Sequence, residues 1–264
     1  MSNNSGTALI TGASSGIGAI YAERLAKRGF DLILVARRQS HLDELATRLA
    51  GETGRSVTPF VADLSDKADL ARVEQLLKTD ARITMLVNNA GFGAVTPLLQ
   101  SDVEKMDEMV DLNVRALTRL TYAAAPGFVE RGGGTIVNIS SIVAISPELL
   151  NGVYGATKAY VLALTQSLHH ELASKGVRVQ AVLPGATSTE FWDVAKRPVT
   201  HLPSEIVMPA ADMVDAALAG LDMGELVTLP ALPNVADWDA FERARQALMP
   251  NLSRATAAER YRVS

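Results

Sequence analysis

Seven short runs rich in β-branched and aliphatic residues recur along the chain with longer helical patterns between them: Thr7–Thr11, Asp31–Ala36, Ser56–Ala62, Thr84–Val87, Gly134–Ile139, Val177–Leu183 and Glu225–Leu229. Leu32-Ile-Leu-Val35 and Thr135-Ile-Val-Asn138 are apolar toward both sides, as strands become when helices cover both faces of a parallel sheet. Strand and helix in strict alternation predict an α/β fold, a doubly wound seven-stranded parallel sheet with helices on both faces. The chain has 264 residues, 48% of them hydrophobic and 20% charged, enough to bury the core of one large domain. No repeat or low-complexity linker divides it, so residues 1–264 are expected to form a single domain.

A formal net charge of -4 leaves no broad basic field for nucleic acid or an anionic membrane, and neither is expected as a partner. The absence of cysteine excludes disulfides and thiolate zinc sites, and the four histidines show no metal-ligand spacing, so no metal site is predicted. Redox chemistry in such a chain needs an organic cofactor. Met1–Gly6 is polar, without a charged-then-apolar leader, and apolar runs such as Val177–Leu183 are far short of the ~20 residues that span a bilayer. A soluble, cytoplasmic protein is the expectation.

Between the first strand and a helix opening near Gly16 lies Thr11-Gly-Ala-Ser-Ser-Gly-Ile-Gly18, the context in which a glycine-rich loop cradles a dinucleotide. Gly12 serves the tight turn, Gly16 lets backbone approach a pyrophosphate, and Gly18 permits close packing. Ser14, Ser15, Ile17 and the N–H groups of the helix start complete the candidate cradle. This places the fold in the Rossmann type. The second strand ends Val35-Ala-Arg-Arg38, where an NAD enzyme carries an acid for the ribose 2′-hydroxyl. Arg37 and Arg38 offer guanidinium forks to a 2′-phosphate instead, which points to NADP(H); two arginines opening a helix also suit a solvated face. Asp63-Leu64 after the third strand and Asn88-Asn89-Ala90-Gly91 after the fourth lie at strand carboxyl ends, where open α/β sheets bind ligands. Asp63 can accept from the adenine amino group, and Asp63 or Ser65 can also cap the next helix.

Three separated pieces carry proton chemistry: Asn113 in Asp111-Leu-Asn-Val114, Ser141 in Asn138-Ile-Ser-Ser141, and Tyr154-Gly-Ala-Thr-Lys158. Tyr154 and Lys158 share a helix face one turn apart. A phenol titrates near 10, and a cation about 4 Å away at an effective dielectric of about 20 favours phenolate by about 4 kcal/mol. Lys158 is therefore expected to draw the Tyr154 phenol down toward neutrality. In a reduction, hydride would come from the nicotinamide, the proton from Tyr154, and a hydrogen bond to the same oxygen from Ser141.

In this order the motifs resemble those of the short-chain dehydrogenase/reductase family: TGASSGIG at 11–18, NNAG at 88–91, NISS ending at Ser141, YGATK at 154–158 and PG at 184–185. The resemblance implies a catalytic tetrad of Asn113, Ser141, Tyr154 and Lys158, with Asn113 supporting a proton-relaying water. It further implies that Tyr154 and Lys158 meet the nicotinamide ribose, that Pro184, Gly185, Thr187 and Thr189 line the nicotinamide and its phosphates, and that a basic Arg37 selects NADP(H). A homodimer or homotetramer through helices at Ser101–Ala125 and Val153–Ser174 is implied as well. Two features depart from the family pattern. Ala144 replaces a common glycine, and the carboxyl end, 225–264, carries Glu225-Leu-Val-Thr-Leu-Pro230 and a helical stretch at Asp237–Leu248 instead of a glycine-rich close.

Ile142, Val143, Ala144, Ile145, Leu149, Leu150, Phe191 and Trp192 are candidate pocket walls, suited to an uncharged hydrophobic carbonyl compound or secondary alcohol, and equally placed to be core. From about 188 to 210, Phe191, Trp192, Pro198, His201, Pro203 and Pro209 break all periodicity, as a substrate lid or a packed surface excursion would. Two other functions fit the same residues: an NAD(P)H-binding sensor or scaffold without turnover, and an NAD-linked alcohol or hydroxysteroid dehydrogenase. Intact Ser141, Tyr154 and Lys158 speak against the first, and the arginines after the second strand against the other.

Overall fold

A computed structural model describes residues 5–194 and 199–261. Strands β1 (Thr7–Thr11), β2 (Asp31–Ala36), β3 (Val57–Val61), β4 (Ile83–Asn88), β5 (Gly134–Ile139) and β6 (Val177–Val182) alternate with α1 (Gly16–Lys27), α2 (Gln39–Thr53), α3 (Lys67–Thr79), α4 (Val103–Val110), α5 (Leu117–Glu130) and α6 (Gly152–Leu172). The short strands β7 (Thr187–Ser188) and β8 (Met208–Pro209) pair with each other around α7 (Phe191–Val194); then come α8 (Ala210–Met223), β9 (Val227–Thr228) and α9 (Val235–Ala247). All seven sheet strands foreseen from sequence are present in one sheet of order β3-β2-β1-β4-β5-β6-β9, every pairing parallel.

Burial explains the apolar runs. Every residue of β1 is buried, as are Leu32–Ala36 of β2, because α1, α2 and α8 cover one face through Tyr21, Leu25, Leu42 and Leu218. The other face is covered by α3, α5 and α6 through Leu70, Val73, Leu120, Phe128 and Leu168. Pro59 is tolerated in β3 because that strand is the sheet edge, where a missing N–H leaves no ladder bond unmade. Gln180 is buried at the centre of β6 and ties it to neighbours, donating to Ala217 O at 2.8 Å and Thr228 Oγ1 at 2.9 Å.

One helix and one helix cap depart from the sequence expectation in ways that have a physical reason. The helix expected at Ser101–Ala125 is interrupted by a π-helical turn over Asp111–Ala116, and its last part runs through Pro126 to Glu130; burial of Phe128 holds the segment helical beyond the proline. Helix α3 is capped by Asp66, which accepts from Ala68 N and Asp69 N, and not by Asp63 or Ser65. Asp63 instead accepts from Ser65 N in the connecting turn.

Compactness divides the chain into two units, Met1–Pro230 and Ala231–Ser264. The second contains α9, capped by Asn234 and carrying Trp238 and Phe241 with ring centroids 5.3 Å apart. Of the segment expected as a lid, Pro198 and its three predecessors lie outside the described residues. Among the described residues no helix is long and apolar enough to cross a membrane, and no cluster of side chains suits a metal ion.

Candidate active site

The strand order reverses between β1 and β4, and ligands of open α/β sheets bind in the crevice outside such a reversal. Thr11 closes that crevice from below, its Oγ1 accepting from Asn89 N and Ala90 N at 3.0 Å each. Asn89 braces the glycine loop, its Nδ2 donating to Thr11 O at 2.9 Å and Gly12 O at 3.2 Å. Gly12 and Gly16 hold φ of 65° and 53°, and a Cβ on Gly18 would fall 2.3 Å from the Gly12 carbonyl oxygen. Ser15 stands at the N-cap of α1 without capping it through its side chain, which leaves the first N–H groups to an anionic ligand. The loop fits a pyrophosphate: small residues where backbone must be approached, and donors where negative charge would lie.

Of the two arginines after β2, Arg38 meets the loop. Its Nε and Nη2 lie 3.4 and 3.3 Å from Ser14 Oγ, and Nη2 donates to Glu190 Oε2 at 2.9 Å. Arg37 is largely exposed and reaches Asp63 at 4.0 Å. Leu64 is buried beneath. These groups fit an adenosine carrying a phosphate.

The structure brings Asn113, Ser141, Tyr154 and Lys158 into one buried cluster. Ser141 leaves β5 and caps the following single turn, its Oγ accepting from Val143 N at 3.3 Å and lying 3.4 Å from Pro184 O. Lys158 is pinned to the same strand end from α6: its Nζ donates to Ile139 O at 2.8 Å while Ser140 Oγ donates to Lys158 O at 2.8 Å. The π-helical turn presents Asn113 to Phe92, accepting from its N–H at 3.1 Å and donating to its carbonyl at 2.8 Å, and to Thr157 Oγ1 at 3.2 Å. Such a turn re-aims side chains and recurs at functional sites. A Cβ on Gly91 would lie 2.8 Å from Asn113 Oδ1 and 3.7 Å from Lys158 Nζ, so NNAG packs directly on the cluster.

Burial pushes Tyr154 up to about 12, against the opposing hydrogen bond from Ser141, and brings Lys158 down to about 8. This reverses the sequence expectation that Lys158 lowers the phenol. The ammonium is 5.9 Å from the ring centroid and spends a hydrogen bond on Ile139 O, so desolvation outweighs its attraction for phenolate.

Apolar groups close over the cluster. Val143 and Met109 pack on Tyr154 with Phe92, Ala94, Met106, Leu150 and Phe191 around them. Phe191 lies 5.6 Å from Tyr154 between ring centroids, at a distance that requires Gly93, where a Cβ would meet Phe191 Cζ at 2.5 Å. Trp192 turns inward and donates to Thr187 O at 2.9 Å, while Leu149 is exposed. Thr187 Oγ1 donates to Gly185 O at 3.1 Å, and Thr189 Oγ1 accepts from Phe191 N at 3.3 Å. Sequence reasoning did not find Phe92, Met106 and Met109, nor Asn151. The last caps α6 by accepting from Val153 N and Tyr154 N and donates to Thr96 O at 2.6 Å. An Asn before an apolar run is a cap signal, and it was available at 151.

Known proteins resemble this chain in sequence and in fold. The sequence model of the family described as short chain dehydrogenase matches residues 6–198. A short-chain dehydrogenase from Sphingobium yanoikuyae, solved in complex with NADPH, is 53% identical, with a TM-score of 0.95 over 97% of this chain and 100% of that one. A bulky-bulky ketone specific alcohol dehydrogenase from Comamonas testosteroni is 48% identical, with a TM-score of 0.90 over 98% of this chain and 99% of that one. A very-long-chain 3-oxoacyl-CoA reductase from Anas platyrhynchos is 34% identical over 72% of this chain, which spans 62% of that protein's length.

Proposed function

The chain belongs to the short-chain dehydrogenase family, and from that premise we propose that it reduces uncharged, bulky hydrophobic ketones or aldehydes to alcohols with NADPH. The observation that carries the reading is the buried Ser141, Tyr154 and Lys158 cluster under an apolar cover that includes Val143, Leu150 and Phe191. NADPH, when bound, supplies the hydride. Gly12, Gly16, Gly18, Ser14, Ser15 and the start of α1 would hold its phosphates; Arg37 and Arg38 its 2′-phosphate; Asp63 its adenine; and Asn89 to Gly91 with Pro184 to Thr189 its nicotinamide half.

Ser141 Oγ and the Tyr154 hydroxyl both donate to the carbonyl oxygen, and Tyr154 gives up its proton as negative charge develops there. Burial keeps that phenol protonated across the neutral range, the state a proton donor requires. Lys158 remains mostly cationic at pH 7 and stabilises the phenolate left behind, and Asn113 fixes the backbone at Phe92 against the cluster. The ketone specificity of the Comamonas relative and the packing of Met109, Val143, Leu150 and Phe191 on Tyr154 support the substrate class. The NADPH-bound Sphingobium relative and the lack of an acid after β2 support the cofactor.

The proposal includes a cytoplasmic homodimer or homotetramer. The exposed Val103, Val110 and Tyr122 on α4 and α5, with the partly exposed Tyr160 on α6, supply apolar surface for such contacts.

The decisive experiment is NADPH oxidation by purified protein over a panel of aromatic and aliphatic ketones and aldehydes, with Tyr154→Phe alongside. Turnover should fall about 10²- to 10⁴-fold in the variant. Binding of NADPH without reduction of any carbonyl would overturn the reductase and favour a nucleotide-binding sensor.

A further inference from the structure

Resting on the reading that NADP(H) occupies the β1/β4 crevice, we propose that Glu190 is an internal competitor of the cofactor's 2′-phosphate, holding the Arg38 guanidinium that this phosphate needs and so limiting the preference for NADP(H) over NAD(H). The residue comes from the segment after β6, far in sequence from the loop it meets. Glu190 Oε2 accepts from Ser15 Oγ at 2.8 Å and from Arg38 Nη2 at 2.9 Å, and the same Arg38 reaches Ser14 Oγ through Nε and Nη2. One carboxylate oxygen thus gathers the hydroxyl and the guanidinium that line the loop beside the end of β2.

The contact is held from both sides. Thr189 Cγ2 lies 3.3 Å from where a Cβ on Gly16 would sit, and Phe191 rests on Tyr154 and Gly93. Hydrogen bonds from Ser15 and Arg38 keep the Glu190 carboxyl below the usual carboxylate range, so the competing charge is present at every physiological pH. A 2′-phosphate carries the same sign and seeks the same planar donors. Both anions on Arg38 would repel, so binding of the phosphate displaces the carboxylate. NAD(H), bearing a 2′-hydroxyl, makes no such demand on Arg38, so the penalty through Arg38 falls on NADP(H) alone.

The test is equilibrium titration of NADP+ and NAD+ into wild type, Glu190→Gln, Glu190→Ala, Arg38→Ala and the Arg38→Ala/Glu190→Ala double variant, by calorimetry at fixed ionic strength. An exposed ion pair shifts an equilibrium by up to about fivefold. Removing both the pair and the repulsion should tighten NADP+ about three- to tenfold in Glu190→Ala, somewhat less in Glu190→Gln, and leave NAD+ within about twofold. In the Arg38→Ala background the Glu190 effect should shrink to less than about twofold. Weaker NADP+ binding in both Glu190 variants, or equal changes for the two nucleotides, overturns the competition and makes Glu190 a support for Arg38. If neither nucleotide binds to any of the five proteins, the NADP(H) reading itself falls and this inference with it; selective NADP+ binding unaffected by Glu190 overturns only the inference.

Discussion

Replacing Lys158 with methionine should stabilise the protein while abolishing its turnover. The amine is buried and held at about 8, below the ordinary value of 10.5. Because the unfolded chain binds this proton more tightly, protonation favours unfolding; the effect grows as pH falls from about 10.5 and is complete below about 8. At about 1.4 kcal/mol for each pH unit of that gap, keeping Lys158 charged costs the fold about 3 kcal/mol at pH 7. Methionine has similar length and no charge, but it abandons the hydrogen bond to Ile139 O, which removes about 1 kcal/mol. The net gain is about 2 kcal/mol, or about 6 °C in Tm for a domain of this size. The assay is denaturant and thermal unfolding of both proteins from pH 6 to 10. The variant should lead by most below pH 8 and lose its lead as pH rises, since only the wild type gains stability there. A Lys158→Met protein less stable than wild type at pH 7, or ahead by the same margin at every pH, would refute the desolvation argument.

The same ionisation should appear in the pH profile of carbonyl reduction: the rate is flat through neutrality and falls with a single descending limb near pH 8 as Lys158 loses its proton, while Tyr154, at about 12, imposes no limb of its own. A limb near 10 would mean that the Lys158 charge is not what reduction requires. Asn151→Ala removes the cap of α6 and the bond to Thr96 O, so unfolding measurements should show a loss of about 1–2 kcal/mol. Turnover should fall with it while the pH midpoint stays in place, and Asn151→Asp, which keeps the cap acceptor, should recover part of both losses.

The fold was legible because its signals are local. A strand covered by helices on both faces must be apolar on both faces, and the runs in β1, β2 and β5 meet that demand so fully that their bounds follow within a residue. The weaker signals gave weaker bounds. Glu225–Leu229 shrinks to Val227–Thr228 in β9, and Pro126, a local stop signal, is overruled by the tertiary burial of Phe128 just beyond it. The glycine loop and the Tyr154/Lys158 spacing were visible for the same reason as the strands: each is a short pattern whose neighbours in space are its neighbours in sequence.

What stayed hidden was the environment those patterns create together. Charge attraction between Tyr154 and Lys158 can be inferred from a four-residue spacing, but burial cannot, and burial decides the direction in which both groups move. Glu190 is 175 residues from Ser15 and 152 from Arg38, in a stretch whose only sequence character is broken periodicity. Its role becomes visible once the parallel sheet carries the ends of β1, β2 and β6 to one edge, where an acid from the last meets donors from the first two. In a doubly wound sheet the site is assembled from strand ends, so the residues that tune it are those whose partners the chain order separates most widely. The consequence for this protein is specific: cofactor preference cannot be assigned from the arginines after β2 alone, because the charge that opposes a 2′-phosphate arrives from the segment after β6.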